Sequence, residues 1–232
     1  MTPSKRLRRD APALDRTSTA GKVAEYLRKR IASGRLQPGD RIPELSVSAA
    51  LSVSRSPVRE ALMQLAQEGL VTIVPYKGAL VSPLERKRFE DLLHYRVALE
   101  EFAVTRAVET AEAGEIDRLS GYIRKLRACA AAKDLPGAIE ADLASHEFLV
   151  ALARNELLTR AYGEMLNQLR LYLRLTITHY DHMDELAEEH EHLLEALRGR
   201  RKATARKLIR AHIVHGFQEA LRELERRTDV AT

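Results

Sequence analysis

A chain of 232 residues, 45% hydrophobic and 31% charged, has the length of one large or two ordinary globular domains and enough apolar side chains for a real core. Its single cysteine, Cys129, excludes an internal disulfide and a thiolate-built zinc site. The basic start MTPSKRLRRDAPALDR has no apolar run behind it, and no window approaches about 18 uncharged apolar residues, so we expect neither a signal peptide nor a membrane span, and a cytoplasmic protein.

The net charge of +5 is unevenly placed. Residues 1–83 hold 14 Lys+Arg against 7 Asp+Glu, net +7, and residues 84–232 hold 24 against 26, net −2. All eight histidines, His94 through His215, fall in the second part. A small basic part joined to a larger near-neutral one suits a nucleic-acid reader with a separate sensing module.

Residues 1–18 are polar and basic, and are expected to form a disordered arm. In residues 19–33, Val23, Tyr26, Leu27 and Ile31 share one helical face and Gly34 follows as a stop. Pro38-Gly39 is a turn from which Arg41 emerges. PELSVSAALSVS then reads as a second short helix with Leu45, Val47 and Leu51 as its apolar positions.

SRSPVREALMQLAQEG, Ser54 to Gly69, is the stretch that organises this part. Pro57 must lie in the first turn of a helix, where its missing N–H costs nothing, and Ser54 or Ser56 can cap the exposed amides. Val58, Leu62, Leu65 and Ala66 make the core-facing stripe, while Arg55 and Arg59 lie four apart and off it. Arginines and serines at the first turn can meet phosphates and base edges; the plain alternative is a solvated helix start. After Gly69, LVTIVPYKGALVSP alternates around Tyr76-Lys77-Gly78 and reads as a β-hairpin, a wing behind the helix.

From Leu84 onward only helical periodicity is found. It predicts six helices at about 85–112, 115–133, 135–153, 156–181, 184–199 and 202–227, with turns near Gly114, Pro136, Asn155, Asp181 and Gly199. Asp142 and His146 are four apart and share a face, flanked by Leu143 and Leu149. Such a pair can offer an oxygen and a nitrogen to a metal, or be an Asp that orients a His. His192 lies two residues from His190 and points elsewhere; His94, His179 and His182 read as structural or surface residues. His215, one turn beyond His212, is a candidate pocket residue.

The combination LQPGDRI, SRSPVREAL, EGLV and KGALV resembles the winged helix-turn-helix of GntR-family transcription regulators, over about residues 19–82. That resemblance implies DNA contacts from Arg41, Arg55, Ser56, Arg59, Lys77 and Gly78. Leu45 departs from the pattern where some members carry a polar or basic residue that reaches DNA. The remainder, 83–229, resembles the all-helical FCD effector domain of the FadR branch through RVALEEFAVTRAVE, DLASHEFLVALARN and EHEHLLEALRGRRKATARKLIRAHI; six helices place it nearer the VanR-like subgroup.

The implied fold is mainly α, with an N-terminal winged helix-turn-helix, a small hairpin wing and a C-terminal six-helix bundle. The resemblance assigns Asp142, His146, His190 and His212 as metal ligands. Such a set suits zinc first, then nickel, iron or manganese, with a position left for an oxygen ligand. It further implies a small carboxylate effector reached by Arg96, whose plain alternative is a salt bridge to Glu100.

The function expected is that of a homodimeric regulator, a repressor by preference, on a pseudo-palindromic operator, with the acid shifting the relative pose of two DNA-binding domains. It is not expected to be an enzyme: a hydrolase or lyase on the same ligands needs a general base that no motif names. A purely structural metal is the other alternative, and non-specific nucleic-acid packaging would leave the ordered reader unexplained.

Overall fold

The computed structural model describes residues 18–83, 85–176 and 183–230, and divides the chain into two compact units, 1–81 and 82–232. The expected arm at 1–18 lies outside the described residues except for Ser18. So do His179, His182 and the turn near Asp181.

In the first unit, helices α1 (Thr19–Ala32), α2 (Glu44–Leu51) and α3 (Arg55–Gln67) accompany strands β1 (Arg41–Ile42), β2 (Val71–Val74) and β3 (Gly78–Val81). Ser18 caps α1, its Oγ accepting from the Gly21 amide at 3.0 Å. The core joins Val23, Ala24, Leu27 and Ile31 of α1 to Val58, Ala61, Leu62 and Leu65 of α3. Tyr26 is only half-buried, with the Arg30 guanidinium over its ring. Across the two helices Arg28 makes a two-pronged pair with Glu68, at 3.0 and 2.7 Å.

Three local expectations change here. Ser54 is the N-cap of α3 by position, in extended conformation, but its side chain makes no cap hydrogen bond; the Ser56 hydroxyl instead bonds Glu60 at 3.1 Å. In α2 only Val47 is buried, Leu51 is intermediate and Leu45 is exposed, because a helix of two turns has room for one core-facing row. The hairpin gains a third strand: β1 pairs antiparallel with β3 (Arg41↔Leu80, Ile42↔Ala79), giving the order β1-β3-β2. Two residues are too few to carry a readable alternation.

Helix α3 stops in a Schellman motif. Gly69 sits at φ +71°, its amide reaches the Ala66 carbonyl, and the Leu70 amide reaches that of Leu65. Leu65 and Leu70 are both buried, so the stop also aims the chain from α3 into β2.

The second unit contains, among the described residues, helices α4 (Arg86–Thr110), α5 (Ala113–Ala131), α6 (Leu135–Ala151), α7 (Glu156–Thr176), α8 (Met183–Arg198) and α9 (Lys202–Val230). Their ends follow side-chain chemistry. Glu112 and Glu115 form a capping box on α5, which draws Gly114 inside the first turn rather than leaving it as the break. Asp134 caps α6 ahead of Pro136, and Asn155 accepts from the Leu158 amide at α7.

Helices α4 and α6 are buried around much of their circumference, as helices with apolar residues on several faces must be. Phe89, Leu92, Leu143, Tyr162, Leu169 and Phe217 lie in one cluster; Val104, Ile116, Leu149, Leu197 and Ile209 lie in another. The second unit's buried charged and imidazole groups are carried by α4, α6, α8 and α9.

Gly69→Ala should cost the first unit about 1 kcal/mol, the penalty for a Cβ in the left-handed region. Chemical denaturation followed on that unit measures it; an unchanged midpoint would mean that the turn can be made another way.

Candidate functional site

Each unit carries one cluster of candidate chemistry. On the first unit Arg41, Arg55, Ser56, Arg59, Lys77 and Gly78 are all exposed. Arg55 and Arg59, one helical turn apart on α3, converge on Glu44 at the start of α2, at 3.2 and 2.8 Å from its Oε2. The hydrogen bond from Arg59 holds the Glu44 carboxyl below its usual range. Both arginines remain more than half exposed, at 52% and 60%.

At the other edge Gly78 has φ +86°, and a Cβ built there would meet the Arg41 Nε at 4.0 Å. Arg41 and the hairpin tip are therefore neighbours. Tyr76, itself at φ +64°, is fully exposed beside Lys77. Glu44 is the residue sequence reasoning missed: it lies 11 and 15 positions from its partners, beyond any local spacing rule.

In the second unit α6 supplies Asp142 and His146, α8 supplies His190 and α9 supplies His212, all four buried. One donor atom from each lies within 4.8 Å of the others. Asp142 Oδ1 stands 3.5 Å from His146 Nε2, 3.2 Å from His190 Nε2 and 3.8 Å from His212 Nε2. These approaches do not run along hydrogen-bonding directions: Asp142 Oδ1 and His190 Nε2 are buried with no hydrogen-bond partner. Unpaired buried atoms of this kind cost free energy unless something fills the space between them.

Each imidazole is tethered by its outer nitrogen. His146 Nδ1 is 2.6 Å from Glu100 Oε2, His190 Nδ1 is 2.7 Å from the Leu186 carbonyl, and His212 Nδ1 is 2.8 Å from Glu189 Oε2. With Nδ1–H donating outward, each Nε2 lone pair points inward, the arrangement found around bound metals. His146 Nε2 and His212 Nε2 approach to 2.9 Å, which without a cation requires one proton between them.

The titration follows that geometry. Burial, then the neighbouring His190, pushes His212 down to about 4, so its ring is neutral near pH 7. Burial is the largest influence on His146 and opposes its charge, but Glu100 and Asp142 together outweigh it and the net shift is upward. Asp142 is held well below the carboxylate range despite its burial, by His146 and His190. An ionised carboxylate facing three inward nitrogens is a donor set for a borderline divalent cation, and these residues fit one.

Behind the cluster lies a buried ionic network. Glu100 receives Arg96 Nε at 2.6 Å and the Tyr162 hydroxyl at 2.8 Å, besides the His146 imidazole. Arg96 is 4% exposed, and its Nη2 has no partner. The salt bridge to Glu100 and an unused donor thus coexist on one guanidinium. Glu189 also binds His215 Nδ1 at 2.9 Å, which places His215 outside the ring of inward nitrogens. His192 and His94 are exposed. Glu100 was visible in the sequence only as the partner of Arg96, and Tyr162 and Glu189 had no signal, since their partners lie 23 or more residues away.

Residues 19–81 match the family described as bacterial regulatory proteins, gntR family, and residues 91–215 match the FCD domain. The Nta operon transcriptional regulator of Aminobacter aminovorans is 31% identical, with 80% of this chain and 86% of that one aligned. The gluconate operon transcriptional repressor of Bacillus subtilis is 27% identical over 88% of this chain and 85% of its own. Among solved structures, E. coli McbR/YncC has the same fold at a TM-score of 0.78 and 20% identity, covering 89% of this chain and 99% of that one.

His190→Ala should lower the metal content of the purified protein well below that of His192→Ala, because only the former removes an inward nitrogen. Elemental analysis of both decides, and equal losses would refute this choice of ligand.

Proposed function

The chain belongs to the gntR family of bacterial regulatory proteins, as a DNA-binding transcriptional regulator with an FCD domain, and on that premise we propose that it is an acid-responsive repressor. In this reading two copies associate in the cytoplasm and place two α3 helices in successive major grooves of a pseudo-palindromic operator. Arg55, Arg59 and Ser56 meet base edges and phosphates from α3, while Arg41, Lys77 and Gly78 meet the adjoining backbone. Glu44 holds the two arginines of α3 in one orientation before DNA arrives, which reduces the conformational freedom they lose on binding.

In the second unit Asp142, His146, His190 and His212 would hold a divalent ion, zinc by preference. When bound, such an ion supplies concentrated positive charge and a free position for an oxygen ligand. Around it the chain's own residues do defined work. Glu100 orients His146, Glu189 orients His212, and the Leu186 carbonyl orients His190.

Arg96 presents a buried, unpartnered Nη2 to whatever carboxylate enters. That orphan donor, together with the orphan Asp142 Oδ1 and His190 Nε2, is the observation that carries the reading. Burying a guanidinium nitrogen without a partner is costly, and a small organic acid would satisfy it bidentately. The acid acts by its different affinities for operator-competent and operator-incompetent states.

A second reading, a structural metal without an effector, is favoured by the 2.6 Å Arg96–Glu100 bond, which occupies one nitrogen of the same guanidinium. A thermal-shift screen against mono- and dicarboxylic acids and sugar acids separates the two, since a ligand of the folded state raises the melting temperature. Gluconate belongs in the screen because one relative's operon is named for it. A hit that disappears on chelation and in Arg96→Met establishes the acid sensor; the absence of any hit with metal firmly bound supports the structural metal.

Arg59→Ala should abolish operator binding while leaving metal content and melting temperature unchanged, because its side chain is 60% exposed. A footprint that persists in this variant would mean that α3 is not the reading helix.

A further inference from the structure

A second charged cluster lies along the seam between α4 and α9, outside the metal centre and the reader. The two helices run antiparallel there, as their ion pairs show: Lys202 meets Glu109 at 2.6 Å, and Arg206 meets Glu101 at 2.7 Å, with Arg210 on the same Glu101 carboxylate. Lys202, Arg206 and Arg210 follow one another at four-residue spacing on α9. Opposite them Glu101, Thr105 and Glu109 do the same on α4. An acidic residue at each α4 position would neutralise the row, but the middle one is a threonine.

The result is a local excess of charge. Lys202, Arg206, Lys207 and Arg210 bring four positive charges, and Arg106 on Glu109 a fifth, against the two carboxylates of Glu101 and Glu109. Like charges at i and i+4 on a helix repel, so this row costs stability as it stands. The donors needed to correct that are free. Arg206 and Arg210 use Nε on Glu101, and among the described residues their terminal nitrogens donate no hydrogen bond. Lys207 is exposed and has no ion pair among the described residues.

The Thr105 hydroxyl is unengaged as well. The Thr110 hydroxyl on the same helix bonds back to the Arg106 carbonyl, whereas the Thr105 hydroxyl makes no hydrogen bond among the described residues. Over Thr105 opens a groove of about 730 Å³, lined by Glu101, Lys202, Arg206, Lys207 and Arg210 as well. That is within the range of small-molecule sites. Glu101, nearly buried at its floor, keeps the two arginines in place, and its carboxyl is held below the usual range although burial opposes that, chiefly by its bond from Arg210.

We propose that this groove is a binding site for a phosphomonoester, its phosphate seated above Thr105 between Arg206 and Lys207. A phosphomonoester carries about −1.5 to −2 charge near pH 7, which offsets most of that positive excess, and its three oxygens suit guanidinium, ammonium and hydroxyl donors together. The groove shares no lining residue with Arg96 or the Asp142–His146–His190–His212 cluster, so, on the acid-responsive reading above, the protein would answer to two classes of metabolite.

The test uses the full chain in phosphate-free buffer. Inorganic phosphate and glucose 6-phosphate should raise the melting temperature beyond sodium chloride at equal ionic strength, glucose should not, and the shift should survive chelation of metals. Lys207→Gln should weaken phosphate about tenfold, the loss of one charge-assisted hydrogen bond.

Thr105→Glu should abolish the phosphate effect and by itself raise the melting temperature, since it supplies the missing carboxylate. A shift equalled by sodium chloride, one lost on chelation, or one unaltered in both variants would overturn the proposal. Should Thr105→Glu fold poorly, the exposed Lys207→Gln still decides.

Discussion

The second unit depends on the Glu100 carboxylate. A buried charge costs several kcal/mol unless it is paired and hydrogen-bonded, so the side chains around it have little freedom. Arg96 from the preceding turn, Tyr162 from α7 and His146 from α6 all point at the same two oxygens. Burial would push the Glu100 carboxyl up; Arg96 and His146 together bring it down, and it stays ionised. Tyr162 responds in the opposite sense, its hydroxyl kept protonated by burial and by the adjacent carboxylate, so it remains a donor. One carboxylate thereby sets the mutual positions of three helices.

The candidate metal site inherits its geometry from that constraint. His146 is aimed by Glu100, and the other two imidazoles are aimed by equivalent devices, a helix carbonyl for His190 and the Glu189 carboxylate for His212. Three different acceptors perform one task, fixing which nitrogen faces inward. Because the tethers belong to α4 and α8 while the ligands belong to α6, α8 and α9, a displacement of any of these helices changes the ligand set. That sensitivity would suit the proposed sensing role, for which polar groups costly to bury would be concentrated on these helices.

The reader solves a different problem. The arginines proposed to meet DNA are exposed, and exposed arginines are costly to immobilise. Glu44 gathers Arg55 and Arg59 without burying either. The first unit has its own core, in which α1 and α3 are joined by the Arg28–Glu68 pair as well as by aliphatic packing.

Periodicity, caps and charge segregation were sufficient, from the sequence alone, to determine the class of each unit: Pro57 and Gly69 bracket α3, Pro136 lies in the first turn of α6, and the split of +7 against −2 separates a basic reader from a near-neutral bundle. Such signals are local, arising within one or two turns of chain, and so can be read without a fold. Four-residue spacing likewise placed Asp142 and His146 on one face, and Arg96 near Glu100. What tertiary structure alone decided is whatever acts across helices: Glu44 between Arg55 and Arg59, Tyr162 on Glu100, Glu189 behind His212, and β1 beside β3. It also decided that Leu45 faces solvent and that Arg96 keeps one nitrogen unpaired. Hydrogen bonds and burial depend on distances between residues tens of positions apart, and no spacing rule along a single helix carries that information.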